Sequence, residues 1–273
     1  MRDFKDKIAV ITGAGSGMGR AYALEFAKLG SKLALNDFDK KGLEETANLI
    51  KNNYQNEIYT ECFDVSDTAA MLNFAQNVAQ KLGKAHVVIN NAGIEGSVEA
   101  FYHTEVADIK KVMNVNFYGV VNGCKAFLPQ LVENNEGAIV NVSSIFGLVG
   151  TPNHSDYCAS KFAVRGFTEA LCAEFVNSPI SITCLHPGGI DTNIVRKDGG
   201  KAFSKKYLST PPEKIVKHVI KSIKRKKVKI VYGKSSFKTW LGSNIVPQGI
   251  LVKIIWNEMK KVVNTKKYSD FIK

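Results

Sequence analysis

The strongest constraint on this chain is a rhythm. Short apolar runs at 7–12, 32–36, 58–63, 86–90, 138–142 and 180–185 alternate with longer segments of helical spacing. Within 39–51, Leu43, Ala47 and Ile50 fall on one side. Within 68–82, Met71, Phe74, Ala75 and Val78 are in phase. Helical patterns also cover 18–29, 106–131 and 156–175. The short runs are apolar almost throughout, as strands are when helices cover both faces of their sheet. This order predicts an α/β fold: a doubly wound parallel sheet in three layers, α/β/α, of Rossmann-like type. A chain of 273 residues could make one such domain or two smaller ones. No repeat, low-complexity run or Pro/Ser-rich linker divides it, so the expectation is a single domain over 1–273.

After residue 190 the rhythm breaks. Gly199–Gly200 and Pro211–Pro212 bracket a stretch without period, within 193–210. Helical spacing returns at 213–223, and 228–231 reads as a last strand. The end, 235–273, mixes Trp240, Leu241, Ile250, Ile254 and Trp256 with lysines and reads as a basic helical C-terminal extension.

Charge divides the chain at the same place. The net charge is +12, yet residues 201–273 hold 19 Lys and Arg against three acids, Glu213, Glu258 and Asp270. The first 200 residues are mildly acidic. Three readings of the basic end stay open: a solvated surface, a peripheral membrane contact, and nucleic-acid binding. The last has least behind it, because no recognised motif surrounds Lys224-Arg225-Lys226-Lys227. The apolar stretch Ile8–Ile11 is too short for a signal segment, and no run approaches the roughly 18–20 residues that span a bilayer. Five cysteines without C-x-x-C spacing read as reduced thiols, with no metal site. The expected location is cytoplasmic, with peripheral membrane contact left open.

Between the first strand and first helix lies Thr12-Gly13-Ala14-Gly15-Ser16-Gly17-Met18-Gly19. A helix N-terminus offers unpaired N–H donors and a positive dipole end, and glycines let a pyrophosphate approach the backbone. Met18 stands where the common G-x-G-x-x-G spelling wants its third glycine, so the spacing is the wider Gly13-x-x-x-Gly17-x-Gly19. Asp37 ends the second strand, 18 positions after Gly19. A carboxylate there accepts both hydroxyls of an adenosine ribose and repels a 2′-phosphate, which favours NAD over NADP. Arg20 and Lys40 keep NADP open.

Tyr157 and Lys161 are four apart on a predicted helix and share a face. An ammonium one turn from a phenol should lower the phenol's pKa and make it a proton-exchange group for an alcohol or carbonyl oxygen. Such pairs are common on solvated helices and mean little alone. Company gives this pair weight. Ser143-Ser144 ends the fifth strand, Asn90-Asn91-Ala92-Gly93 the fourth and Pro187-Gly188 the sixth, all at the carboxyl edge where open α/β sheets bind ligands. His154, three before Tyr157, could touch a substrate but reads better as a polar loop residue; His186 reads as structural, and Asp156 as a cap or first-turn acid of the helix.

The series Thr12–Gly19, Asp64-Val65, Asn90–Gly93, Val115–Gly119, Asn141–Ser144, Tyr157-x-x-x-Lys161 and Pro187–Thr192 resembles the short-chain dehydrogenase/reductase family. The resemblance implies an oxidoreductase moving a hydride between a nicotinamide and an alcohol or ketone. It implies Tyr157 as general acid/base, Lys161 as its partner and ribose ligand, Ser144 as the substrate-oxygen donor and Asn116 as part of a proton relay. It implies Gly13, Ser16, Gly17, Met18 and Gly19 around the pyrophosphate, Asp37 on the ribose, and Asp64 and Val65 on the adenine. Asn91, Ala92 and Gly93 would line the cleft, with Pro187, Gly188, Ile190 and Thr192 at the carboxamide. The family commonly pairs the helices at 106–131 and 156–175 between subunits, implying a homodimer or homotetramer. An apolar substrate, steroid-, retinoid-, fatty- or aromatic-like, is the expectation from the apolar tail. The competing reading is a non-catalytic nucleotide-sensing protein whose tail binds a membrane or a partner.

Overall fold

The computed structural model describes residues 3–192, 194 and 200–268. Its centre is a seven-stranded parallel sheet of order β3-β2-β1-β4-β5-β6-β7. The strands are β1 (Ile8–Thr12), β2 (Lys32–Asp37), β3 (Ile58–Cys62), β4 (Val87–Asn90), β5 (Gly137–Val142), β6 (Ile180–Pro187) and β7 (Lys229–Tyr232). Strand pairing is in simple register, with Val10 of β1 opposite both Ala34 of β2 and Val88 of β4. The order reverses between β1 and β4, so the connections leaving their carboxyl ends diverge and open a crevice there.

The helices cover both faces. On one, α1 (Gly17–Lys28), α2 (Lys40–Asn53) and α8 (Pro212–Lys224) pack over Ala9, Ile11, Leu33 and Leu35. On the other, α3 (Thr68–Lys81), α5 (Gly119–Glu133) and α6 (Ser155–Glu174) pack over Ile8, Val10, Ala34 and Val88. Alternate residues of one strand thus enter two different cores. That is why the strands read as continuous apolar runs rather than alternating ones.

Two boundaries differ from expectation. The long helix expected over 106–131 is interrupted: α4 (Val106–Met113) passes into a π turn, Asn114–Tyr118, before α5 begins. An extra residue in one turn leaves the apolar pattern almost unchanged, so periodicity does not reveal it. Its effect is to place Asn116, fully buried, under the crevice. The sixth strand runs two residues beyond the expected 180–185, because His186 and Pro187 still pair with Val231 and Tyr232 of β7.

The final part is built of α7 (Lys201–Tyr207), α8, β7, α9 (Ser236–Ile245), α10 (Gln248–Met259) and a 3-10 turn, Thr265–Tyr268. The expected extension over 235–273 is therefore helical across its described part. Of 193–210, which the family resemblance implies as a substrate-covering segment, residues 193 and 195–199 lie outside the described residues, and Lys201–Tyr207 forms α7 although the sequence shows no period there. Tyr268 returns to the body, where its hydroxyl donates to the Asn153 side chain just ahead of α6. All five cysteines are free, three of them buried. Among the described residues, no helix is long and apolar enough to cross a membrane.

Candidate active site

The glycine loop is bent so that a side chain has no room. Gly13 and Gly17 have φ of +68° and +50°, in the left-handed region that glycine favours. A Cβ on Gly19 would fall 1.8 Å from the Gly13 carbonyl oxygen, because the first turn of α1 is packed directly on the loop. Ser16 precedes α1 in an extended conformation and makes no side-chain cap, leaving the first-turn N–H groups to a ligand. Asn91 fixes the loop from below: its side-chain N–H donates to the carbonyls of Thr12 (3.0 Å) and Gly13 (3.3 Å). The Thr12 hydroxyl in turn accepts the N–H groups of Asn91 and Ala92. The sequence places Thr12 at the head of the glycine loop without a role of its own; a hydroxyl at the end of an apolar run is the signal for this one.

Asp37 closes the far side. Its Oδ2 accepts the Gly15 N–H at 2.7 Å and its Oδ1 the Asp39 N–H at 2.9 Å. Both bonds aim the carboxylate at the mouth of the glycine loop. Arg20, a candidate for a 2′-phosphate, is committed elsewhere: its guanidinium donates to the Gly15 and Gly42 carbonyls, to Thr46 and to Glu45. Lys40 is exposed and 3.9 Å from Glu44. The cleft formed here has a volume of about 430 Å³ and is lined by Gly13, Ser16, Gly17, Met18, Asp37, Asp64, Val65, Asn91, Ala92, Gly93 and Thr192. Gly19 lies behind it in the helix. The cleft fits a dinucleotide: a cradle that any Cβ would fill, uncapped helix donors, and an acid placed for a ribose.

At the inner end stand Ser144, Tyr157 and Lys161, with Pro187, Gly188 and Ile190 around them. The two serines at the end of β5 separate cleanly. The Ser143 hydroxyl is spent on the Lys161 carbonyl (2.8 Å). Ser144 caps the 3-10 turn Ile145–Gly147, accepting the Phe146 N–H, and hydrogen-bonds Tyr157. The Ser144 carbonyl is 2.9 Å from His186 Nδ1, which must carry the proton because a carbonyl only accepts. Burial drives His186 down to about 4, so it stays neutral. The structural reading of His186 therefore gains a specific content.

Lys161 is buried, and its ammonium donates to the Val142 carbonyl at 3.0 Å. Asn116 sits one layer deeper, bonded to the N–H and the carbonyl of Ile94 and to Ser160. It faces Gly93 and so braces the loop over the crevice. Asp156 does more than start α6: it accepts the N–H groups of Tyr157 and of Ser97, tying the reactive helix to the loop after β4.

The expected pKa of Tyr157 is corrected in direction. Burial pushes the phenol up to about 12, and the Ser144 hydrogen bond opposes this without overcoming it. Lys161 does not hold the phenol down, because its ammonium is turned to Val142 and lies 5.6 Å from the ring centroid. Burial also pulls Lys161 down to about 8. Desolvation disfavours charge on both groups, and a four-residue spacing cannot reveal that balance.

Beyond Tyr157 opens a second cavity of about 830 Å³. Phe146, His154 and Phe203 cluster in its wall, edge-to-face or tilted, with ring centroids 5.3–5.9 Å apart. His154, expected as a polar loop residue, is buried there, so it lines the space where a substrate would lie. Leu241, Ile245 and Leu251 from α9 and α10 complete the opposite side.

Comparison with known proteins decides the family. The family model described as short chain dehydrogenase matches residues 7–201.

The chain belongs to the short-chain dehydrogenase family.

Among the relatives of this short-chain dehydrogenase is the putative oxidoreductase SadH of Mycobacterium tuberculosis. It is 41% identical over 247 residues, covering 85% of this chain and 88% of that protein. Estradiol 17-beta-dehydrogenase 11 of Macaca fascicularis is 35% identical over 268 residues, 95% and 84% of the two chains. The crystal structure of a short-chain dehydrogenase/reductase from Burkholderia phymatum in complex with NAD superposes with a TM-score of 0.79 at 30% identity, covering 84% of this chain and 90% of that one. The protein is an oxidoreductase of this family on a Rossmann-like sheet.

Proposed function

We propose that this short-chain dehydrogenase uses NAD to interconvert an apolar alcohol and its ketone, with Tyr157 exchanging the proton. The observation that carries the reading is that two spaces adjoin: a polar cleft shaped for a dinucleotide and an apolar cavity share Met18, Asn91, Gly93 and Thr192 in their walls, and Tyr157, Ser144 and Lys161 line the cavity beyond them. The nicotinamide would accept or supply the hydride. The Tyr157 hydroxyl would take the alcohol proton or give one to the carbonyl oxygen, while the Ser144 hydroxyl donates to the same oxygen as charge develops. Lys161 would donate to the nicotinamide ribose and, with Asn116, carry the proton away from Tyr157. Asp37 supports NAD over NADP, and the NAD-bound relative agrees. A relative named for estradiol is consistent with a bulky apolar substrate. The alternative, a nucleotide sensor without turnover, is not favoured, because the polar groups at the junction are oriented by partners of their own.

The test is turnover of an alcohol and ketone panel with NAD(H) and NADP(H) by wild type and Tyr157→Phe. The variant should lose about 10²- to 10⁴-fold in kcat, the span of one positioned acid/base. Its NAD affinity should be retained. Equal turnover by both proteins would sink the mechanism.

A further inference from the structure

We infer that α9 and α10 form a docking surface for an anionic lipid membrane, and that the mouth of the apolar cavity opens on that surface. The membrane assignment rests on the surface itself; only its use as a substrate route rests on the function proposed above.

The first observation is a patch that the fold leaves uncovered. Phe237 and Ile245 of α9 are 65% and 69% exposed, and Ile250, Val252 and Ile254 of α10 are 51–55% exposed. Helix α10 is apolar nearly all round, yet only Leu251 and Met259 are buried, and neither belongs to the cores on the two faces of the sheet. A helix that is apolar on its outward side as well as its inward side is half of an interface.

The second observation is charge. Between Glu213 and Glu258 lie 44 residues with 11 Lys and Arg and no acid. Lys238 follows Phe237, and Lys253 stands between Val252 and Ile254; both are exposed. The one acid on these helices, Glu258, is already neutralised by Lys206, Lys261 and the Tyr207 hydroxyl. Exposed apolar side chains set among lysines, with Trp240 and Trp256 half-buried beside them, match the chemistry of an anionic bilayer interface. They match a second copy of this chain less well, since two such basic faces would repel.

The third observation ties the patch to the site. Leu241, Ile245 and Ile254 are exposed and also line the 830 Å³ cavity, so they form its rim. A membrane-dissolved alcohol could pass from lipid to Tyr157 along a wall that is mostly apolar. No described helix can span a bilayer, so the contact lies on the membrane and not through it.

The experiment is co-sedimentation of the full chain with vesicles of phosphatidylcholine alone and of phosphatidylcholine with phosphatidylserine. Wild type should pellet with the anionic vesicles and stay in solution with the neutral ones, and added salt should release it. The double variant Phe237→Glu/Ile250→Glu alters no cavity-lining residue. It should bind anionic vesicles at least about tenfold more weakly with an unchanged melting temperature, which shows that the fold is kept. Lys238→Gln should cost about fivefold. Wild type failing to pellet, pelleting equally on neutral lipid, or pelleting undiminished by the double variant would each overturn the proposal. So would a wild-type assembly that the double variant dissociates without any vesicle binding, which would assign the patch to a second copy. Pelleting does not depend on turnover. If vesicles bind while no alcohol is oxidised, the surface stands and the proposed substrate route falls.

Discussion

The sheet body and the arm made of α7, α9 and α10 are held together by different means. In the body, polar side chains at strand ends are locked by short, directed bonds: Gly15 to Asp37, Asn91 to Thr12 and Gly13, Ser143 to Lys161. Around them lie two closed apolar cores. The arm has little of this. Its buried apolar residues Leu251 and Met259 face the cavity and neither core, and Tyr207 and Lys206 hold α7 to α10 through one carboxylate, Glu258. The body presents fixed donors and acceptors to a ligand of fixed chemistry. The arm presents a shape. A change in the body should therefore alter cofactor use or the chemical step for every substrate, while a change in the arm should alter only which substrates are taken.

The largest expected effect separates the two directions of reaction by pH. In the mechanism proposed above, oxidation needs the Tyr157 phenolate, and burial holds its pKa far above neutral. The phenolate fraction then rises about tenfold per pH unit, so kcat/KM for alcohol oxidation should climb steeply from pH 6 to 8. Reduction needs the protonated phenol, which is present throughout that range, and should stay nearly flat. Profiles of kcat/KM in both directions check this. A flat oxidation profile would mean that Tyr157 is not the base.

Next in size is Asp37→Ala. The carboxylate is held by two backbone N–H groups and faces the ribose end of the cleft. Removing a charged acceptor of ribose hydroxyls should weaken NAD by about 10- to 100-fold. It also removes a negative charge that repels a 2′-phosphate, so NADP should weaken less or tighten. Dissociation constants for both nucleotides, by titration calorimetry, give the ratio. A fall equal for both would leave Asp37 as a support for Gly15 alone.

The same division explains what the sequence could reveal. All seven strands, the last read at 228–231, and the glycine loop are local statements: an apolar run of strand length, and glycines where φ is positive or a Cβ collides. Asp37 and Tyr157-x-x-x-Lys161 are visible for a similar reason, since strand ends and helix spacing place them. What stayed hidden depends on burial or on one-residue shifts. The π turn that delivers Asn116 leaves the periodicity intact, and residue type alone does not show it. The direction of the Tyr157 pKa is set by desolvation, a tertiary property. Helices α9 and α10 are legible only as helical, basic and apolar, and α7 lies in the stretch where the sequence shows no period. Leu241, Ile245, Leu251 and Ile254 look alike in sequence, and nothing in their spacing says which faces a cavity, which faces solvent, and which does both.

The smallest expected effect is the sharpest test of the division. Leu251 lines the cavity from α10 and touches neither core cluster. Leu251→Ala removes three carbons from the cavity wall, about 1–2 kcal/mol of contact with a bound apolar substrate. The KM for long apolar alcohols should rise about five- to tenfold. The KM for short alcohols, which do not reach α10, and the NAD dissociation constant should not move. A matching rise for short alcohols would show that α10 supports the geometry at Tyr157 and is not only a wall. The arm would then belong mechanically to the body, and substrate choice could not be altered there without cost to the chemical step.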